Sequence, residues 1–433
     1  MLARLLELLP ALCLLFCSSL FASTINVPAD QTTIQAGINA AQNGDTVLVA
    51  PGIYQENISF TGKAITVTSS GGAAYTTIRG NQHGSVVIFN SGETSSSVLN
   101  GFTITNGSAQ NQFGLDQGGG VIIVRSSPTV TNNKIQNNHS CGGGDGLALI
   151  IGAPLVKGNT IQKNSQKGCT GGEGGAVTIG GGQGAMFIGN RVIGNQGGFS
   201  LVSASNPLIQ DNIIAGNTGY GLSTANDSNP IVVQNLIYGN GGFFGGGVYL
   251  APSYGTAASI LVSNTIVDNM NTSTGMGTDL YTTGFISSSQ IINNIFASTT
   301  GTNSVYCDPS YDKNSPIFQF NDSYSSGTAI EGTCTSEIGL DGNLSADPGF
   351  KNPTKHNYRL AIGSPLINAG TNSAPDLPSQ DIAGKPRIVG GTVDIGATNF
   401  NNRTVQALSV ISILDPKIKE GRDRSRPTFA ILT

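Results

Sequence analysis

The sequence predicts an all-β chain wound into a solenoid, and three features carry that expectation. A six-residue phrase, Asn-x-Ile/Val-x-x-Asn, begins at Asn133, Asn159, Asn190, Asn212, Asn235 and Asn264, so its starts lie 26, 31, 22, 23 and 29 residues apart. An apolar residue stands three positions before each start (Val130, Val156, Phe187, Ile209, Val232, Leu261) and another two positions after it (Ile135, Ile161, Val192, Ile214, Ile237, Ile266). Gly, Asn and Pro punctuate the stretches between. Short apolar columns separated by turn residues read as strands, and a unit of about 22 to 30 residues repeated six times reads as stacked coils. A helical solenoid would need two amphipathic runs of roughly a dozen residues in each copy, and the chain has no room for them.

The Asn columns have a physical role in such a stack. Asn tolerates left-handed backbone geometry, and its amide both donates and accepts, so successive copies are expected to bond in ladders. Pro128, Pro154, Pro207 and Pro230 each sit five residues before the Asn. Pro cannot donate to a sheet, which places that position at a strand start or turn.

Taken in order, residues 1–22 combine Arg4 with an apolar run over 8–21 and end on the small Ala22. They read as a secretory signal peptide, with a membrane anchor as the alternative. No other run reaches the roughly 18 apolar residues that span a bilayer, so no membrane span is expected after cleavage. Residues 23–80 form an N-terminal cap and the first coils. Within them, residues 30–41 carry Ile34, Ile38 and Ala41 on one helical stripe behind a cap at Asp30 or Thr32, the one convincing helix. A helix there shields the row of unpaired backbone groups that a first coil exposes. Strands follow at 46–50, 58–60 and 64–69. Residues 81–300 hold the repeats, loosely at first and regularly from Pro128. From 301 to 400 the period gives way to a cap or appended segment, and the tail over 401–433 is expected to be disordered.

Composition narrows the function classes. With 11% charged residues and a formal charge of −4, the chain carries no basic surface, and nucleic acid is not an expected partner. Removing the leader leaves four cysteines, an even count that suits an exported protein with disulfides. Cys141 lies four residues before Asp145 and Cys169 four before Glu173, and aligning the two sets Leu149 against Val177 and Ile151 against Ile179. The two cysteines then stack on adjacent coils, about 4.8 Å apart, within disulfide range. The expected pairs are Cys141 with Cys169 and, by elimination, Cys307 with Cys334. A metal site using His139 with these thiols is the rival, without any supporting ligand spacing.

Residues 27–58 resemble the opening of right-handed parallel β-helix proteins of the pectin-lyase-like superfamily, and the Asn phrases resemble their coil repeats. Further on, Asp347-Pro-Gly-Phe, Tyr358-Arg-Leu, Gly363-Ser-Pro-Leu-Ile-Asn-Ala-Gly, Asp381-Ile-Ala-Gly-Lys-Pro-Arg-Ile and Val393-Asp-Ile-Gly-Ala form a series similar to the choice-of-anchor Q domain of bacterial exported β-helix proteins. After Val393-Asp-Ile-Gly-Ala the usual aromatic-acid pair is replaced by Thr398-Asn399. The resemblance implies a right-handed parallel β-helix with an N-terminal cap helix, secreted or held at a bacterial cell surface. It implies no particular reaction, because one fold hosts many functions.

Uronate lyases need a cation or Arg to neutralise the sugar carboxylate and a Lys or Arg base, whereas hydrolases on this fold need two or three carboxylates. The superfamily's hydrolase signatures (Asn-Thr-Asp, Asp-Asp, Gly-His-Gly, Arg-Ile-Lys) and the Asp-Pro-His of alginate epimerases are absent. Charge does concentrate early in the array, at Asp116, Arg125, Lys134, Asp145, Lys157, Lys163, Lys167, Glu173 and Arg191. Asp145 and Glu173, stacked by the Cys alignment, repel unless a cation or a Lys sits between them, which makes them candidate Ca²⁺ ligands, with no cofactor required. Asp116, Asp145 and Glu173 are the binding candidates, and Lys157 and Arg191 the catalytic ones. The plainer alternative makes Asp145 and Glu173 solvated turn residues beside a disulfide. His83, His139 and His356 lie scattered without partner acids, and the Gly runs lack the Lys-Ser/Thr and helix of a phosphate loop. The expected protein is thus an exported monomer that binds polysaccharide or another surface component without catalysis. A polysaccharide lyase-like enzyme and a structural surface rod are the alternatives.

Overall fold

The computed structural model describes residues 22–109, 116–166, 174–251, 258–273, 276–283, 287–299 and 303–400. Three parallel sheets run the length of the stack. Sheet A has twelve strands, from Thr24–Val27 to Ile317–Gln319; sheet B has eleven, from Gly52–Gln55 to Asp322–Ser325; sheet C has eleven, from Ile58–Ser59 to Ile330–Gly332. One coil lays Val121–Val124 in sheet C, Thr129–Thr131 in A and Lys134–Gln136 in B, and the next lays Leu147–Ile150, Leu155–Lys157 and Thr160–Gln162 alongside. Winding of this kind makes every neighbour parallel, because each strand pairs with its counterpart one turn on.

The apolar columns of the sequence are the inner faces. Val130, Val156, Phe187, Ile209, Val232 and Leu261 are successive register partners in sheet A. Ile135, Ile161, Val192, Ile214, Ile237 and Ile266 are partners in sheet B. All twelve are buried in one continuous core. Sheet C supplies a third column of Leu147, Val177, Phe199, Leu222, Val248 and Leu280. Here the Cys-based alignment is corrected by two residues: Leu147, not Leu149, lies opposite Val177, and Leu149 lies opposite Ile179. The second connection is longer by two, and an even slip keeps inward residues inward, so the error left the facing intact.

Two amide ladders brace the corners. In the first, Asn133, Asn159, Asn190, Asn212, Asn235, Asn264, Asn294 and Asn321 each donate backbone N and Nδ2 to Oδ1 of the next Asn, ending on Asn343. The second runs Asn138, Asn164, Asn195, Asn217, Asn240, Asn269 and ends on Oδ1 of Asp279. The left-handed residue is not the ladder Asn, as expected, but the one before it: Asn132, Asp211, Gln234 and Ser263 before the first ladder, Asn137, Lys163 and Asp268 before the second. That bend turns the ladder amide inward, where water cannot compete for its bonds. The second ladder also explains a glycine column. A Cβ on Gly146, Gly221 or Gly247 would lie 3.0, 3.0 or 2.8 Å from a ladder Nδ2.

The cap helix spans Ile34–Ala40, and its N-cap is Thr33, whose side chain accepts from Ala36 N, rather than Asp30 or Thr32. Asp30 instead accepts from Asn26 N and Nδ2 at 2.7 and 2.8 Å. Glu56 takes Ile34 N and Gln35 N, both at 2.9 Å, tying the helix to the first coil. At the other end the coils continue past 300, with strands Val305–Cys307, Ile317–Gln319, Asp322–Ser325 and Ile330–Gly332, and Cys307 bonds Cys334 as expected. Residues 345–400 then fold back over the outer faces of sheets A and B. Leu360, Leu366 and Ile395 cover Val267, Ile295 and Ala297, while Ala374 and Leu377 meet Val233, Val262 and Ile292. Arg387 is fully buried in this segment, its Nη2 donating to the carbonyls of Asp394 and Gly396 at 2.9 and 2.6 Å. Burial pushes its guanidinium down to about 10, with Asp394, Asp381 and Asp211 opposing the shift. The tail 401–433 and the leader lie outside the described residues, apart from Ala22.

Candidate functional site

The structure separates the charged residues that the sequence grouped. Lys157 closes a sheet A strand with its side chain exposed, between register partners Thr131 and Ile188. Arg191 opens a sheet B strand, also exposed, between Thr160 and Ile213. Both point outward, since Val156 and Val192 beside them point in. Asp116 is exposed at the B–C corner, where its carbonyl accepts from Gly142 N at 2.6 Å. Cys169 and Glu173 lie outside the described residues; Cys141 is disulfide-bonded, so its thiol is no metal ligand. His139 Nδ1 is 3.0 Å from Ser165 O. Among the described residues, no three His, Cys, Asp or Glu gather where they could hold a metal ion.

Asp145 is neither solvated nor on the outer face with the bases. It is fully buried two residues before Leu147, at the corner entering sheet C. Its Oδ1 accepts from Ser140 Oγ at 2.7 Å, and Oδ2 has no partner. Burial raises the carboxyl to about 7, with the Ser140 bonds acting the other way.

One surface feature does have the dimensions of a binding site. Corner lengths create it. From Val98 onward sheets A and B are joined by two residues, as between Thr131 and Lys134 or Gln210 and Ile213. Sheets B and C are joined by 5 residues between Ile193 and Phe199 and by 6 between Ala215 and Leu222. The connections around those two are longer: 14 before, from Gln162 to Val177, and 9 and 12 after, from Tyr238 to Val248 and from Val267 to Leu280. Short connections between long ones leave a trough of about 590 Å³ that crosses five successive coils, from Gly174 to Thr272.

Its floor is bare backbone. Side chains at Gly198, Gly219 and Gly241 would strike the carbonyls of Gly221, Gln196 and Thr218 in the adjoining coils. Phe243 and Met270 form an apolar rim, exposed by 53% and 58%. Gln196 is fixed by Oε1, which accepts from Gln166 N at 2.8 Å, and Asn271 by Nδ2, which donates to Met276 O at 2.5 Å. The opposite end of each amide therefore remains to serve a ligand. Of the described side chains lining the groove, none is Asp, Glu, Lys, Arg or His.

Tyr220 joins the groove to a stack of rings on sheet C. It lies on Tyr249 at 5.2 Å and 15°, and Tyr249, Tyr281 and Tyr306, outward residues of successive strands, continue at 5.5 and 5.4 Å. Phe244 flanks Tyr249 and Tyr281, and Phe243 meets Phe244 edge to face at 4.7 Å. Tyr281 Oη donates to Asp308 Oδ2 at 2.6 Å; burial first, and that carboxylate second, hold the phenol far above its usual range. Rings in the stack spend their faces on each other, which leaves Phe243 as the exposed ring. The sequence reading missed groove and stack alike. The available signal was the sheet C column: Tyr249, Tyr281 and Tyr306 each follow an inward Val or Leu by one residue.

Comparison with known proteins agrees with this architecture. The family model described as right handed beta helix region matches residues 119–296. A pectate lyase of known structure superposes with a TM-score of 0.52, at 16% identity over 88% of this chain and 96% of that one. A family 6 alginate lyase gives a TM-score of 0.44 at 13% identity (83% and 60% covered), and the A-module of a mannuronan C-5 epimerase from Azotobacter vinelandii 0.44 at 15% (73% and 94%). No curated protein sequence matches the chain. The molecule is a right-handed parallel β-helix with a pectate-lyase-like fold, and at these identities the likeness is one of fold.

Proposed function

We propose that the protein is exported and binds a polysaccharide in the groove at the B–C corner without cleaving it. The carrying observation is that a trough spanning five coils is lined, among the described residues, by amides, hydroxyls and exposed apolar groups, with no side chain suited to remove a proton at neutral pH. Export is supported by the Cys307–Cys334 disulfide. Residues 345–400, with the motifs that resemble a choice-of-anchor Q domain, serve in this reading as a surface-display segment packed onto the stack.

The competing reading is a uronate lyase that uses Lys157 or Arg191 as base and a calcium ion at Asp145 and Glu173. It draws support from the buried, half-partnered carboxyl of Asp145. Incubation of the full chain with pectate, alginate and uncharged polysaccharides, with and without calcium, separates the two. The expected result is retention of the protein by polysaccharide in affinity electrophoresis and no rise in the absorbance of unsaturated products. A calcium-dependent rise that Lys157→Ala or Arg191→Ala abolishes would establish the lyase instead. Absence of both binding and product would leave a structural rod.

A further inference from the structure

We infer that the groove takes an uncharged glycan, a polymer of hydroxyl-bearing sugars without carboxylate or sulfate groups. This rests on the reading of the groove as a polysaccharide site and names its substrate class. A uronate chain carries a carboxylate on every sugar, and moving such a charge from water into a cleft is disfavoured unless a cation or several donors meet it. The described lining offers no cation. Beyond the groove the same flank turns acidic: Tyr306 has Glu331 as its register neighbour and Asp308 two residues on. Among the described lining a polyanion is therefore unmatched, and toward Tyr306 it meets acidic groups.

What the lining does offer suits sugar hydroxyls, each of which donates and accepts at once. Gln196 presents Nε2 as a donor and Asn271 Oδ1 as an acceptor, because their other ends are held by Gln166 N and Met276 O. Thr218 stands exposed between them along the axis. Phe243 and Met270 supply exposed apolar surface for the C–H face of a sugar ring. Five coils at a rise of about 4.8 Å give the trough a length of about 20 Å, which fits several sugars of an extended chain rather than one. The glycines of the floor follow from coil stacking alone. The specificity argument lies in the side chains above them.

The test uses the full chain, with galactomannan and a mixed-linkage glucan as uncharged probes and polygalacturonate and alginate as charged ones. Phe243→Ala and Thr218→Lys are compared with the unaltered protein, and circular dichroism and melting temperature verify that both fold. Expected are binding to an uncharged polymer and none to the uronates, a weakening of about fivefold in Phe243→Ala, and a loss of uncharged binding with a gain of uronate binding in Thr218→Lys. Retention by uronates alone, lost in Phe243→Ala, would overturn the substrate class and keep the groove. Binding to an uncharged polymer that neither substitution alters would overturn the groove assignment while sparing polysaccharide binding itself. No binding to any of the four would overturn both.

Discussion

Asn212 shows how much one side chain carries in this fold. Its Oδ1 accepts from Asn190 N and Nδ2 at 2.8 and 3.0 Å, and its Nδ2 donates to Phe187 O and to Asn235 Oδ1 at 2.8 and 3.0 Å. Asn212→Ala removes all four bonds and leaves buried partners above and below unsatisfied, so unfolding should become easier by about 3 kcal/mol or more, measured by chemical denaturation. Asp145 makes a prediction with a sign. Its carboxyl titrates near 7 when folded and near 3.9 when unfolded, so the folded state binds the extra proton between those values. Stability from this group is fully present below about pH 4 and is lost as pH rises toward 7. Asp322, also raised to about 7 by burial, contributes in the same direction. Melting curves from pH 4 to 8 should therefore fall less steeply in Asp145→Asn than in the unaltered chain; equal slopes would show that the carboxyl is ionised throughout.

At the scale of elements, the inner columns of sheets A and B were legible because a two-residue corner fixes their distance from an Asn in every copy. Sheet C was not, since 5 to 14 residues separate it from sheet B and no constant spacing survives. The same variability hid the groove, a product of differing loop lengths rather than of any motif. Charge misled for a related reason: Lys157, Arg191 and Asp145 lie close in sequence, yet Lys157 and Arg191 face outward from sheets A and B while Asp145 is buried at the entry to sheet C. The last coil was also obscured. Its strands persist to Gly332, but the Asn phrase has dissolved into Asn321 and Asn343, which still complete the first ladder. There Cys307 and Cys334, 27 residues apart with Cα atoms at 5.6 Å, clip the final sheet C strands to the turn over Thr333–Glu337. Closing a loop of that length stabilises by about 3–4 kcal/mol. Cys307→Ala with Cys334→Ala should lower the melting temperature and admit proteolysis after residue 300 first, readable by mass spectrometry of the early fragments.

Over the whole molecule, the two corners that carry the amide ladders differ in how regular they are. From Val98 onward the A–B corner keeps its two-residue length and carries the first ladder, and the outer faces of sheets A and B are roofed in part by residues 345–400. The B–C corner carries the second ladder at Asn195, Asn217 and Asn240, yet its length changes from turn to turn, and the groove lies there. A protein built in this way can be re-surfaced one turn at a time: the stretches between Asn195 and Gly198 and between Asn217 and Gly221 could be exchanged for others of different length while both ladders stay unbroken. New specificities would then arise by editing a hem and leaving the weave alone.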